Sequence, residues 1–152
     1  MGWKLGLACG MVVLMCLTGP FAQAETEKTN AAVMTTLMKG VGSEEKKAVT
    51  DGLWAALSQY YTLLPQEQVQ QAEAEAQAAN CNEDDCLVQV REILGVDVVY
   101  RLYHVDEGYF NWLYMTRASD KGIEKKDQVC SRCSIQEYHR SVRRLLDYMH
   151  KE

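Results

Sequence analysis

The sequence predicts one α/β domain, a two- or three-layer sandwich around a mixed sheet of about five strands. Three observations lead to this fold class. Hydrophobic residues at 47% and charged residues at 24% are typical of a globular protein. Short β-branched runs alternate with segments of helical periodicity, and an export signal separates residues 1–24 from a single small α/β domain at residues 25–152.

The export signal has the three parts of a secretory signal peptide. Lys4 precedes an uncharged stretch at residues 5–17, and a small-x-small cleavage site ends at Ala24. As a helix the stretch would span about 20 Å, short of a hydrocarbon core of about 30 Å. We therefore expect residues 1–24 to be removed and the mature chain to be periplasmic. Retention of the segment as an anchor is the alternative.

The first half of the domain predicts an early βαβ unit. Residues 31–38 are apolar and β-tolerant, as in a strand buried on both faces, and Ser43 is placed to cap the helix that follows. Residues 61–64 can form a short strand. Pro65 suits the start of a second, Gln- and Ala-rich helix over residues 66–79, which we expect to be largely exposed. The crossover of this unit should be right-handed.

The second half predicts a helix, an antiparallel meander and a closing helix. Asp84 or Asp85 can cap the third helix, and Gly95 can end it. The three strands of the meander are expected over residues 96–105, 109–117 and 123–130. Ser134 and Glu137 form a capping box that begins the last helix. The parallel pair and the meander together make a mixed sheet.

Four cysteines remain after removal of the signal: Cys81, Cys86, Cys130 and Cys133. An even number in an exported chain indicates two disulfides. Closeness in sequence favours the pairs Cys81–Cys86 and Cys130–Cys133. Pairing between the two groups is the alternative. Four thiolates also suit tetrahedral zinc, although an oxidising compartment disfavours that site. A redox pair of Cys130 and Cys133 before a helix N-terminus is a further alternative.

Two groups of side chains are candidates for binding a partner. Aromatic residues crowd the predicted hairpin, and packing under helices is the preferred interpretation for most of them. The alternative interpretation is that four of these residues form a partner-binding face: Tyr109, Phe110, Trp112 and Tyr114. The second group is a basic patch on the last helix, either a solvated outer face or a contact for an acidic partner or anionic lipid. Its arginines are Arg140, Arg143 and Arg144.

Several function classes are disfavoured. A net charge of −5 argues against nucleic-acid binding, which needs a basic surface. We find no metalloprotease, serine-hydrolase, phosphate-loop or dinucleotide motif, and no acid–base pair whose spacing suggests catalysis. We therefore expect no catalytic residue, no cofactor, no resident metal and no membrane span after cleavage.

The arrangement of residues 31–150 resembles the small periplasmic α/β domain at the N-terminus of TolB and, more distantly, CsgG-like and LpoB-like envelope proteins. The likeness consists of the opening strand, the Cys81-x4-Cys86 segment, the Leu94-Gly-Val-Asp97 turn before an apolar strand, and the closing helix after Cys130-x2-Cys133. The resemblance implies an adaptor role in the envelope and carries over no catalytic residue.

Together these features predict an exported, disulfide-stabilised, non-enzymatic binding domain of the bacterial cell envelope that docks onto another envelope protein. The alternative function is a periplasmic thiol–disulfide redox protein that uses Cys130 and Cys133. The identity of the partner and the oligomeric state stay open.

Overall fold

A computed structural model of the protein describes residues 28–151, so the predicted signal peptide lies outside the described residues. A six-stranded mixed sheet lies between two layers of helices, each with its own hydrophobic core. This confirms the predicted α/β class and selects the three-layer form of the sandwich.

The strands are β1 (Asn30–Val33), β2 (Leu37–Lys39), β3 (Thr62–Leu63), β4 (Val98–Asp106), β5 (Phe110–Ser119) and β6 (Gly122–Ser131). The helices are α1 (Ser43–Leu57), α2 (Gln66–Ala78), α3 (Glu83–Leu94) and α4 (Ile135–His150). The strand order is β3-β1-β4-β5-β6, with β2 also paired to β4. β1 runs parallel to β3 and β4, whereas β4, β5 and β6 form the predicted antiparallel meander.

Helices α1 and α4 cover one face of the sheet over the larger core. Leu53 of α1 and Leu145 of α4 are fully buried against Tyr100 and Leu113 of the sheet. Helical spacing of apolar residues on both helices produces this layer. A capping box begins α4, as predicted. The Ser134 side chain accepts from the backbone N–H of Glu137, and the Glu137 carboxylate accepts from the backbone N–H of Ser134.

Helices α2 and α3 cover part of the opposite face over a smaller core. Val69 of α2 and Leu87 of α3 are fully buried there, against Val99 of β4 and Ala118 of β5. α2 has only a narrow stripe of small apolar residues, so it packs close to the sheet and, apart from the buried Glu73, directs most of its Gln and Glu side chains outward.

The ends of two helices differ from the predictions. α3 is capped by Asn82, whose side chain accepts from the backbone N–H of Asp85 at 3.2 Å, so the aspartates are first-turn residues that favour the helix dipole. Ser43 is the first residue of α1 rather than its cap, and Gly42 holds the N-cap position without a side-chain bond. Gly95 ends α3 in the left-handed region, as predicted.

The predicted opening strand is broken into β1 and β2. Three residues lie between Val33 and Leu37, while only two lie between their partners Tyr100 and Tyr103 on β4. One extra residue on one strand is a bulge, and it reverses the face on which later side chains lie. Leu37 therefore shares the face of Tyr103, on the side of the sheet away from α1 and α4.

Candidate functional site

The helices α2 and α3 leave much of their face of the sheet uncovered. They lie over the beginning of β4 and the end of β5, where small and branched side chains allow close packing. The other end of the hairpin bears large side chains that remain partly exposed, which we call the aromatic face: Leu37, Tyr103, Val105, Phe110, Trp112, Tyr114 and Val129. The exposed fraction is 38% at Tyr103, 40% at Tyr114 and 44% at Phe110.

The strand register sets the composition of this face. Tyr103 lies directly opposite Tyr114, and Trp112 lies opposite both Val105 and Val129. Side chains alternate along a strand, so residues 110, 112 and 114 share one face as the sequence predicted. Core packing holds for Tyr100, which is fully buried, but not for Tyr103, Phe110 or Tyr114.

The rings of the aromatic face form a stacked row. The centroids of Tyr103 and Tyr114 are 6.0 Å apart with planes 27° apart, and those of Trp112 and Tyr114 are 6.2 Å apart with planes 12° apart. Such cross-strand neighbours hold each other in place. At the hairpin tip, Tyr109 meets Phe110 edge-on at 4.9 Å and lies beneath the guanidinium of Arg132.

A groove of about 490 Å³ lies where the aromatic face meets the beginning of α3. Two of its charged side chains are paired, since Lys125 Nζ lies 2.8 Å from Asp84 Oδ2, and the Arg101 guanidinium donates to the backbone oxygen of Glu83 at 2.8 Å. Apolar rings bordered by paired charges resemble the core and rim of a protein interface.

The basic patch lies on the other side of the sheet. Arg140, Arg143 and Arg144 are exposed on α4, so the structure does not bring them together with the aromatic residues. Arg140 and Arg144 line a groove between α4 and the end of β6, whereas Arg143 does not.

The cysteines are joined locally. Cys81 pairs with Cys86, with Cα atoms 5.0 Å apart, and Cys130 pairs with Cys133, with Cα atoms 5.8 Å apart. This is the pairing that their spacing favours. The first bridge fixes the loop that leads into α3, and the second connects the end of β6 to the start of α4.

Sequence reasoning missed a buried polar pair under α4. His104 is fully buried, and its Nε2 lies 2.9 Å from Asn111 Oδ1, which accepts, so Nε2 donates. Burial lowers the pKa of His104, although the bond to Asn111 opposes this shift. Burial also raises the pKa of Tyr138, whose ring meets His104 edge-on, to about 12. Both groups are therefore neutral at neutral pH.

A second polar cluster fixes the end of α4. His150 Nδ1 donates to the Leu146 carbonyl at 2.8 Å, and Nε2 lies 2.8 Å from the Tyr61 hydroxyl, from which it accepts in the neutral imidazole. The Tyr61 oxygen lies 3.0 Å from the hydroxyl of Tyr100, whose pKa is raised by burial. Tyr61, Tyr100 and His150 are far apart in the sequence and meet only in the folded chain. Their spacing along the chain therefore could not predict this cluster.

Within residues 28–151, no cluster of His, Cys, Asp and Glu side chains has the arrangement needed to hold a metal ion. Over the same range, no helix combines the length and apolar character required to cross a membrane.

No family model matches the chain, and no curated protein matches it. Among solved structures, it is similar to the LpoB C-terminal domain from Escherichia coli, with a TM-score of 0.49, 16% identity, and 73% of this chain and 88% of that chain covered. The LpoB C-terminal domain from Salmonella enterica gives a TM-score of 0.48 with the same identity and coverage. Lipoprotein GNA1162 from Neisseria meningitidis gives 0.47 at 12% identity over 70% of this chain and 82% of that one.

The sequence resemblance named LpoB-like proteins among its more distant members, and LpoB C-terminal domains are among these neighbours. The TolB-like and CsgG-like assignment is not confirmed. Identities this low, with TM-scores below 0.5, assign no function to the chain.

Proposed function

We propose that this chain is an exported, disulfide-stabilised adaptor domain of the bacterial cell envelope. It performs no catalysis and docks onto another envelope protein through the aromatic face. The single observation that carries the proposal is that face itself, a row of large rings that no helix of residues 28–151 covers. Contiguous exposed apolar surface rimmed by polar groups is typical of protein-binding sites.

The row of rings is suited to binding because it is already ordered. Trp112 and Tyr103 stack on either side of Tyr114, so little side-chain entropy remains to be lost when a partner docks. Tryptophan and tyrosine are also the residue types that dominate binding energy at interfaces. We therefore assign the energetic centre of the site to Trp112 and Tyr114.

The assignment to the envelope rests on the amino-terminal signal and the two disulfides. Small disulfide-bonded domains belong to oxidising compartments, and the cysteine pairs are of this kind. A periplasmic location after cleavage at Ala24 follows from the same reasoning.

The test is site-specific photo-crosslinking in cells. A photoreactive residue replaces Tyr114 on the aromatic face or, as the control, Tyr148, which is similarly exposed at 51% but lies on α4 across the sheet. We expect Tyr114 to give one crosslinked envelope protein and Tyr148 to give none. With that partner purified, Trp112→Ala should weaken binding at least about tenfold, the effect of losing one well-packed interface residue. Identical products from both positions would refute docking through this face.

A redox function of Cys130 and Cys133 is the second candidate. It is favoured by the position of the pair next to the amino end of α4, because helix N-termini stabilise thiolates. Against it, Cys133 packs on the core beneath α1 and α4. Reduction of a protein disulfide such as insulin, lost in Cys133→Ser and kept in Cys81→Ser, would support this function; no turnover by the native chain would remove it.

A further inference from the structure

The outer edge of β6 offers unpaired backbone groups to a partner. β6 is the last strand of the sheet, and no strand of the described chain pairs with its outer side. Arg132 N–H donates to the Tyr109 carbonyl at 3.2 Å, which marks one bonded position of the β5–β6 ladder. Bonded and non-bonded positions alternate in an antiparallel pair, so every second residue before Arg132 also bonds to β5. The residues between them direct their N–H and C=O groups outward: Ile123, Lys125, Asp127 and Val129. The Val129 carbonyl accepts from the Gln128 side-chain amide at 3.0 Å, an exposed bond that an added strand would displace.

The two sides of this edge differ in chemistry. On the α4 side, Arg140 and Arg144 line the groove beside the strand, and neither forms an ion pair with another described residue. Of the acidic groups nearby, Glu124 lies 2.6 Å from the Arg117 guanidinium. Glu137 lines the same groove, accepts from Ser134 N–H at 2.7 Å and interacts electrostatically with Arg140. Two arginines against this one carboxylate leave the groove with a net positive charge.

The opposite side of the edge is apolar at its two ends. Val129 lies beside Trp112 in the register and is 41% exposed, and Ile123 is 40% exposed on the same face. Between them lie Asp127 and Lys125, and Lys125 is ion-paired with Asp84. An added strand would extend the aromatic face with its own apolar side chains.

We propose that the outer edge of β6 receives an extended segment of an acidic protein partner, which adds to the sheet as an antiparallel strand. Its acidic side chains point toward Arg140 and Arg144, and its alternate apolar side chains lie next to Val129 and Ile123. The inference rests on the proposed adaptor function and extends it, because it specifies the chemistry of the partner. Backbone bonds give such strand addition its affinity, and alternate side chains give its specificity.

A second copy of this chain fits the edge poorly. Antiparallel pairing of two β6 strands has its two-fold axis normal to the sheet, so both α4 helices lie on the same side. Arg140 and Arg144 of one copy would then face those of the other, and like charges across a strand pair destabilise it. Charge complementarity therefore selects an acidic partner.

The test uses the full chain after export and the peptide acetyl-Glu-Val-Glu-Val-Glu-Val-Glu-amide as the probe. Amide hydrogen exchange is measured by NMR with and without the peptide. We expect slower exchange at Ile123, Lys125, Asp127 and Val129, whose N–H groups point outward, and no change at the alternate residues already bonded to β5. The same peptide with Lys in place of Glu should not bind. N-methylation of its valines should also abolish binding, because it removes the N–H groups that face β6.

Variants separate the contributions of charge and backbone. Arg140→Glu with Arg144→Glu should weaken peptide binding about tenfold or more, whereas Arg143→Glu, outside the groove, should leave it unchanged. Asp127→Pro removes an outward N–H that β5 does not use, so it should block binding in a folded chain.

Absence of slower exchange at the outward amides under saturating peptide would overturn the inference, as would equal binding of the lysine peptide. If Trp112→Ala abolishes crosslinking to the cellular partner while Asp127→Pro leaves it intact, the adaptor function stands and strand addition at β6 falls. If neither variant reduces crosslinking, both fall.

Discussion

Glu73 connects α2 to the break between β1 and β2, and its removal makes a quantitative test of the fold. One carboxylate oxygen accepts from the Thr35 backbone N–H and the other from the Thr35 hydroxyl, both at 2.7 Å. Glu73 is only 8% exposed, whereas Thr35 is exposed, so the two bonds are partly buried. They hold the chain away from the sheet where the bulge occurs, and so they place Leu37 on the aromatic face.

The expected loss follows from these two bonds. A hydrogen bond to a charged group contributes about 1.5–3 kcal/mol, and a donor left unsatisfied when its partner is removed costs a similar amount. Glu73→Ala removes the acceptor of both Thr35 donors, but water can reach the exposed Thr35, so the free energy of unfolding should fall by about 2 kcal/mol. Glu73→Gln can still accept from the N–H, so its loss should be about 1 kcal/mol.

The assay is urea unfolding followed by circular dichroism with the disulfides intact. Glu75→Ala is the matched control, because it makes the same substitution on the exposed side of the same helix and should change stability by less than about 0.5 kcal/mol. Hydrogen exchange at Leu37 and Lys39 should also become faster in Glu73→Ala. Equal losses from Glu73→Ala and Glu75→Ala would refute the role of the carboxylate in holding the strand break.

Three further predictions concern stability. Burial lowers the pKa of His104 below its ordinary value of 6.5, so on acidification the unfolded chain binds a proton before the folded chain does. The contribution of His104 to stability should therefore be complete above pH 6.5 and should fall as the pH drops below that value. Unfolding curves of His104→Gln should show a smaller decline over the same pH range. Replacing both Cys81 and Cys86 by Ser should lower stability by about 2 kcal/mol from lost chain constraint, and chemical reduction should then add only the effect of the second bridge. Tyr61→Phe removes the hydroxyl that bonds His150, so the free energy of unfolding measured by thermal denaturation should fall by about 1 kcal/mol. An unchanged free energy would mean that water replaces this bond without loss.

Much of the candidate site was present in the sequence as a pattern. The alternation that groups Phe110, Trp112 and Tyr114 on one face is local, and the strand register preserves it. Whether helices cover that face is not local, because it depends on where α2 and α3 lie. The aromatic face is open because α3 begins near Arg101, whose guanidinium donates to the backbone oxygen of Glu83.

By itself the sequence determined the order of the elements, the mixed sheet, the capping box at Ser134 and the left-handed end of α3 at Gly95. Periodicity, caps and turns act between residues a few positions apart, so their physics is contained in short stretches of sequence. The tertiary structure alone decided the strand break, the polar cluster at the end of α4 and the exposure of the rings. Glu73 and Thr35 are 38 positions apart, and only folding brings such side chains within hydrogen-bond distance.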